Sequence, residues 1–150
     1  MASRQLIIFC IHGEEFGMDS VYAKEIIRPA KIFKVPNAPS YIEGLINLRG
    51  KVHPVFNLRK RFNLPSAAFD DNTKFIMTHL DSAGIGFIAD EVREIIRIED
   101  GDIEVTPHTS GEVIKKFIKG AVKVGARTIL LLDPENAFPL NSEGVESPGA

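Results

Sequence analysis

One charged turn carries the residues whose type and spacing suggest a chemical role. Asn47, Leu48, Arg49 and Gly50 lie between two apolar segments, so the arginine is presented by a rigid scaffold where a strand meets a turn. Gly50 supplies a backbone conformation that other residues resist. Two interpretations are open at this point: an ordinary tight turn with a solvated arginine, or an arginine held in place for a partner.

Residue types found in catalytic and metal sites are present but scattered. The chain lacks a nucleophile elbow, a phosphate loop and a dinucleotide fingerprint. Cys10 stands in an apolar strand, where burial raises the pKa of a thiol and makes it inert. The four histidines, which have no close spacing to cysteine or carboxylate, are His12, His53, His79 and His108. We therefore predict no enzyme, no metal site and no cofactor.

The composition is that of an ordinary globular protein. The chain has 150 residues, 44% hydrophobic and 25% charged, and its net charge of -2 gives no overall attraction to nucleic acid or an anionic membrane. A single cysteine excludes an intrachain disulfide framework and is compatible with a reducing cytoplasm. The apolar run 6–11 is too short for a signal peptide or a membrane span. We predict a cytoplasmic protein without direct membrane insertion.

Short β-branched and aromatic segments alternate with Gly, Pro, Asn and Asp, which favours many short strands. Two polar positions are suited to begin short helices, because their side-chain oxygens accept the free amide hydrogens of a helix start. Asp19 or Ser20 is predicted to cap a single helical turn over 21–23. Asn57 is predicted to cap a short helix over 58–62.

The most informative pattern is an internal repeat. Two stretches of the first half recur without a gap 69 residues later, and two more recur 76 residues later. The change of offset places a seven-residue insertion between Arg97 and Phe117. The simplest explanation is two copies of one small all-β unit. The matched segments are 16–18 with 85–87, 24–28 with 93–97, 41–44 with 117–120, and 52–57 with 128–133.

Each copy is too small to bury a secure core alone, so two copies packed together, with a strand exchanged between them, form the stable arrangement. Units of this length with about five short strands predict paired small barrels, in which few strand edges are exposed. The strands 6–11 and 74–80 precede the two copies in the same way. Residues 141–150 are rich in Ser, Gly, Pro and Glu and predict a disordered tail.

The second copy serves as a control for the charged turn. Gly44 has a counterpart in Gly120, and Asn57 has one in Asp133, so we assign these positions to the fold. Arg49 has no such counterpart, because the equivalent place in the second copy reads Val-Gly-Ala-Arg. This comparison favours a partner-binding role for Arg49 over a solvated turn arginine.

Charge placement leaves further alternatives open. Glu25 recurs in the second copy as Glu94, which suits an ion pair, a role in the fold or contact with a partner. Residues 44–69 contain no acidic residue and five basic ones. This basic face suits either a solvated helix or a small-barrel nucleic-acid-binding protein. The second possibility lacks the interleaved aromatic residues that base stacking needs.

Together these motifs resemble the signature of the CheW family of bacterial chemotaxis coupling proteins, over residues 5–138. The similarity rests on Asn47-Leu48-Arg49-Gly50 with Val52, Pro54 and 57–59, on 16–19 with Glu25 and Ile26, and on 39–44 and 86–92. It implies an all-β fold of two intertwined SH3-like five-stranded β-barrels with short helical turns. The implied layout is one domain at 1–140, with barrel 1 at about 5–12 plus 74–140, barrel 2 at about 13–73, and the tail at 141–150.

The same resemblance implies a non-catalytic adaptor. Members of the family bridge the cytoplasmic tip of a methyl-accepting chemoreceptor to the regulatory domain of a CheA-type histidine kinase. The protein is then expected at membrane-bound receptor arrays through its partners, without nucleic acid. The alternatives are the nucleic-acid binder above and an adaptor of a non-flagellar chemosensory pathway such as type IV pilus control.

Family positions also carry expectations for single residues. Arg49 matches the family arginine important for coupling, and Glu25 matches a glutamate used in partner binding. We expect a groove between the barrels to accept an apolar helical receptor tip, with Arg49 orienting it. The family usually has Asp where this chain has Asn57; since both are good caps, we expect the helix to form. The remaining positions are Ala23, Val52 and Gly86 near receptor contacts, and Thr73 near the kinase side.

Overall fold

The computed structural model describes residues 3–80, 83–104 and 112–138, which form β-strands joined by turns and short helices. The predicted all-β class is confirmed. The strands are β1 Ser3–Ile11, β2 Glu14–Asp19, β3 Ala23–Ile27, β4 Ile42–Leu48, β5 Lys51–Asn57, β6 Lys74–Leu80, β7 Ala83–Ala89, β8 Glu91–Glu99, β9 Ile103–Glu104, β10 Ile118–Val124 and β11 Arg127–Leu132.

Short helical segments interrupt the strands, and the two predicted caps are confirmed. The Asp19 carboxylate accepts a hydrogen bond from the Val21 amide at 3.0 Å, and the Asn57 side-chain oxygen accepts one from the Lys60 amide at 3.1 Å. Each cap satisfies an amide that has no partner within its own helix. The α-helices are α1 Leu58–Arg61, α2 Glu112–Lys115 and α3 Pro134–Ala137, and the 3₁₀ turns are Ser20–Tyr22 and Asp100–Asp102.

The strands form two sheets, and each sheet contains strands from both copies of the repeat. The first sheet has the order β8-β1-β2-β11-β10-β9, and the second has the order β3-β6-β7-β5-β4. In both sheets the central contact is parallel, β2 with β11 and β5 with β7. A bridge between Phe33 and Leu45 extends the second sheet where β9 extends the first. The predicted pair of intertwined SH3-like barrels is confirmed, but the first sheet has six strands instead of the predicted five, because the two-residue strand β9 is added at its edge.

The sheets divide the chain differently from the predicted barrel bounds. The predicted bounds put β2 in barrel 2, but this strand lies in the first sheet. They put β6 and β7 in barrel 1, but these strands lie in the second sheet. The reason is that an antiparallel hairpin forms its ladder locally, so β1 stays with β2 and β6 stays with β7. The copies therefore exchange whole hairpins rather than one strand.

The repeat is visible in the ladder irregularities as well. The register shifts before Gly44 in the β4–β5 pair and before Gly120 in the β10–β11 pair. A Cβ atom added at Gly44 would lie 2.4 Å from the carbonyl oxygen of Phe33, and one at Gly120 would lie 2.9 Å from that of Glu104. Both glycines let a crossing backbone approach closely, which confirms their assignment to the fold.

The hydrophobic core has a central part between the sheets and a smaller part within each barrel. The central part is rich in phenylalanine, and the ring centroids of Phe9 and Phe87, one from each sheet, are 5.2 Å apart. This packing holds both barrels together. The inner cluster of the first sheet is Leu6, Ile8, Ile98, Val122, Ile129 and Leu131, and that of the second is Ile46, Val55, Phe75, Met77 and Ile88.

Some predicted segments lie outside the described residues. They are the tail 141–150 and residues 105–111, which form part of the predicted insertion. Within the described ranges, every helix falls short of the length and apolar character needed to cross a membrane.

Candidate functional site

Arg49 lies in the tight turn that joins β4 to β5. Leu48 pairs with Lys51, so Arg49 and Gly50 are the two residues of the turn, and both have positive φ, 54° and 83°. The Gly50 amide donates to the side-chain oxygen of Asn47 at 3.1 Å. Positive φ at both positions matches the twist of the flanking strands, although it is uncommon for an arginine. The hairpin therefore holds Arg49 at its tip.

Arg49 and Glu25, which the sequence identified separately, form one ion pair. Arg49 Nη2 donates to Glu25 Oε2 at 2.8 Å, and Nη1 donates to Oε1. This two-point contact joins the β4–β5 turn to β3, at the far side of the second sheet. The hydrogen bonds from Arg49 lower the pKa of Glu25, and Glu25 in turn raises the pKa of Arg49. The Arg49 side chain is still 69% exposed.

A cleft of about 150 Å³ opens beside this pair. Its walls carry three cations, Arg49, Lys24 and Lys51, and Glu25 is their one acidic neighbour in the lining. The ring of His53 covers Gly84, because a Cβ atom at that glycine would lie 2.6 Å from Nδ1. The lining residues are Lys24, Glu25, Leu48, Arg49, Lys51, His53, Met77, Thr78 and Gly84. All belong to the second sheet or its turns, so this cleft differs from the groove expected between the barrels.

The other predicted site residues lie at different depths. Ala23 begins β3 and is half-buried against the central core. Val52, on β5, is 45% exposed. Gly86 is buried in β7, where a Cβ atom would lie 2.8 Å from the sulfur of Met77. Thr73 is buried and its hydroxyl oxygen accepts a hydrogen bond from the Asp70 amide at 2.9 Å. The structure thus places Arg49, Glu25 and Val52 at the surface, and Gly86 and Thr73 in packed positions.

The first barrel, built on the first sheet, holds a related ion-pair cluster that the sequence pattern did not indicate. Arg127 follows the turn between β10 and β11, and its Nη2 lies 2.7 Å from both Glu94 and Glu15. Glu94 is the repeat counterpart of Glu25, so the arginine–glutamate pair occurs in both barrels. The inference that the second copy lacks such an arginine is therefore corrected: the arginine stands two positions further along the hairpin. Adding the repeat offset of 76 residues to position 51 gives position 127, so Arg127 is the repeat counterpart of Lys51.

The basic face proposed for nucleic acid is used within the protein. Arg59 Nη2 lies 2.5 Å from Asp90 Oδ2, and its side chain is only 16% exposed. The guanidinium carbon of Arg61 lies 4.3 Å from the ring centroid of Tyr41 and 4.6 Å from that of Phe117. Arg61 is thus held against two rings, and three of the five basic residues of this face, Arg49, Arg59 and Lys60, each pair with a carboxylate of the chain, which weakens the nucleic-acid alternative.

Within the described residues, no cluster of three or more His, Cys, Asp or Glu side chains is arranged to hold a metal ion. Cys10 is buried, and desolvation raises the pKa of its thiol. His108 lies outside the described residues. The charged side chains and the cleft beside Arg49 are suited to recognition by charge and shape.

Comparison with known proteins agrees with this architecture. The CheW-like domain family matches residues 5–140. The chemotaxis protein CheW of Bacillus subtilis is 33% identical over 129 residues, covering 86% of this chain and 83% of the relative, and that of Treponema pallidum is 29% identical over 138 residues, covering 89% and 81%. The crystal structure of the scaffolding protein TtCheW from Thermoanaerobacter tengcongensis has a TM-score of 0.85 at 29% identity, covering 97% of this chain and 94% of that one. The chain belongs to the CheW family of chemotaxis scaffolding proteins.

Proposed function

We propose that this protein is a non-catalytic adaptor that couples the cytoplasmic tip of a methyl-accepting chemoreceptor to the regulatory domain of a CheA-type histidine kinase. It acts in the cytoplasm, at receptor arrays that it reaches through its partners. Family membership supports the adaptor role. The observation that carries the receptor contact is the exposed, two-point ion pair of Arg49 with Glu25.

The pair is suited to orient a partner. Glu25 occupies one edge of the Arg49 guanidinium, and the side chain stays 69% exposed, so donors of the planar group remain accessible. Because both ends of the pair stand on strands or a tight turn, little side-chain entropy is lost when a partner binds. Arg49 therefore offers fixed hydrogen-bond donors at a rigid corner.

An apolar side chain lies beside the turn that carries the pair. Val52, which pairs with Asn47 in the β4–β5 ladder, is 45% exposed. An amphipathic helical tip needs apolar contact for affinity and polar contact for orientation, and this corner supplies both. We assign the receptor tip to this corner, and the kinase regulatory domain to a separate surface on the side of Thr73.

The test replaces Arg49 with alanine. In a reconstituted mixture of receptor tip fragment, adaptor and CheA-type kinase, we expect Arg49→Ala to weaken binding of the tip at least tenfold and to abolish receptor-dependent control of kinase activity. The melting temperature should change little, because the side chain is exposed. Retained receptor control in Arg49→Ala would refute the proposal.

A matched control separates this effect from the loss of any surface arginine. Arg97 is an exposed arginine on β8 that takes part in no ion pair among the described residues. Arg97→Ala should leave tip binding and kinase control unchanged. Receptor tips from a flagellar pathway and from a type IV pilus pathway, tested side by side, identify which pathway the adaptor serves.

A further inference from the structure

The two barrels carry cations at equivalent positions beside their hairpin turns. Lys24 and Lys51 of the second sheet correspond to Arg93 and Arg127 of the first. Both arginines approach one carboxylate: Arg127 Nη2 lies 2.7 Å from Glu15 Oε2, and Arg93 Nη1 lies 3.5 Å from the same atom. Glu15 thus joins the two cations of the first barrel, and its side chain is only 13% exposed.

The counterpart of Glu15 in the other barrel is a glycine. Glu15 pairs with Cys10 across the β1–β2 hairpin, and Gly84 pairs with His79 at the same place in the β6–β7 hairpin. The parallel ladders agree, since Gly17 faces Leu131 in one barrel and Gly86 faces Val55 in the other. The second barrel therefore keeps both cations and lacks the carboxylate between them.

This substitution leaves the cleft with unbalanced positive charge. Among the described residues, Lys24 and Lys51 take part in no ion pair, and Glu25 is already bound at both oxygens by Arg49. Two ammonium groups beside an Arg–Glu pair attract an anionic group that enters from outside. His53, which covers Gly84 and lines the cleft, adds an imidazole whose N–H is a further donor.

We propose that the cleft binds the carboxylate of a glutamate or aspartate side chain on the partner that docks at Arg49. This carboxylate takes the place that Glu15 occupies within the chain in the first barrel. The inference rests on the proposed function, because it names the chemistry of the receptor tip that this corner recognises. The volume of about 150 Å³ equals the space of about five water molecules, so it admits one acidic side chain but no helix.

The first experiment measures whether the lysines and a partner carboxylate act together. The probe is a soluble chemoreceptor tip fragment in two versions, one native and one with its exposed Glu and Asp residues changed to Gln and Asn. Lys24→Gln with Lys51→Gln should weaken binding of the native tip about tenfold, the effect of losing two partly exposed charge pairs. The same double variant should bind the amide version of the tip as well as the wild-type protein does.

Lys123 provides the matched control, since it is an exposed lysine on β10 without an ion pair in the described part of the chain. Lys123→Gln should bind both tips like the wild-type protein. An equal loss for native and amide tips in the Lys24 and Lys51 variant would overturn the proposal, and so would no loss for either tip.

A second experiment supplies the carboxylate from within the chain. Gly84→Glu combined with His53→Ile copies Glu15 and Ile129 of the first barrel into the second. The histidine must change as well, because a Cβ atom at Gly84 would contact its ring. We expect the double variant to fold, to retain wild-type melting behaviour or exceed it, and to bind the native tip about tenfold more weakly. Undiminished tip binding by a folded double variant would contradict the proposal.

The outcomes separate this inference from the proposed function. If Arg49→Ala weakens tip binding and the Lys24 and Lys51 variant does not, the adaptor function stands and the carboxylate site is refuted. If the wild-type protein does not bind the tip at all, both are refuted. If all three variants weaken binding of the native tip, and the amide tip abolishes the effects of the lysine variant and the Gly84 variant but not that of Arg49→Ala, both are supported.

Discussion

The two hairpin corners related by the repeat carry the same ion pair in different surroundings. In the first barrel, Arg127 binds Glu94 and Glu15, and its side chain is 36% exposed. In the second barrel, Arg49 binds Glu25 alone and is 69% exposed. Hydrogen bonds from Arg127 lower the pKa of Glu15, so this acid stays charged inside its cluster. The arginine of the first corner is paired with two carboxylates of the chain, whereas the second corner has unpaired lysines and a cleft at the surface, among the described residues.

The difference shows how a duplicated unit acquires a binding surface. Both copies keep the devices that build the sheet, including the glycines at the ladder shifts and the polar helix caps. One internal carboxylate is absent from one copy, and a cleft whose lining includes three cations lies at that position. Matched substitutions at equivalent positions of the two barrels therefore distinguish residues that stabilise the fold from residues that bind a partner.

The largest effect is expected where the two copies share a packing constraint. Gly44→Ala should lower the free energy of unfolding by about 3 kcal/mol, because its Cβ would lie 2.4 Å from a backbone carbonyl oxygen that cannot rotate away. Gly120→Ala meets the equivalent oxygen at 2.9 Å and should cost about 1–2 kcal/mol. Denaturant unfolding of both variants tests the comparison. Equal effects would show that the two bulges relax alike.

The next effect contrasts the two acids. Glu15→Gln should lower the free energy of unfolding by about 1–2 kcal/mol at pH 7, since it removes a charged acceptor that joins two arginines. Glu25→Gln should change stability much less, because its pair is open to solvent, yet it should weaken tip binding. The opposite pattern, with Glu25 the more stabilising residue, would contradict the assignment of the first corner to the fold.

Acid titration sharpens the same contrast. Because the folded pKa of Glu15 lies below its ordinary value of 4.5, its stabilisation is complete above that pH and is lost as pH falls through the folded pKa. The stability difference between wild type and Glu15→Gln should thus be constant near neutrality and shrink below about pH 4.5. Denaturant unfolding between pH 7 and pH 3 measures it. A difference that does not shrink in acid would exclude the charge as its cause.

The smallest effect concerns the caps. The side-chain amide of Asn57 also donates to Glu43 Oε1 at 2.9 Å. Rules for helix caps that use the sequence alone do not include this contact. Asn57→Asp, the residue usual in the family, should cost about 1 kcal/mol at pH 7, because it replaces a hydrogen bond with two facing carboxylates. Asp133→Asn in the other copy should change stability by less than about 0.5 kcal/mol. Thermal unfolding of both variants measures these effects. An Asn57→Asp variant as stable as the wild-type protein would contradict the prediction.

Local features were predictable from the sequence. The caps at Asp19 and Asn57 form where predicted, because a cap depends on residues two or three positions away. The repeat predicted two copies of an all-β unit, and Gly44 and Gly120 were correctly assigned to the fold by their matching positions. The motif around Arg49 identified the family. In each case the deciding contacts lie close in the chain or recur at a fixed offset.

The tertiary structure decided what depends on distant parts of the chain. Arg49 meets Glu25 across 24 positions and Arg127 meets Glu15 across 112, and neither separation follows a local period. Such pairings exist only because each copy gives a whole hairpin to the other's sheet. The sequence by itself thus determined the repeating unit, its turns and its caps. The cleft beside Arg49, and the carboxylate that the second barrel lacks, follow from long-range strand pairing that no local pattern encodes.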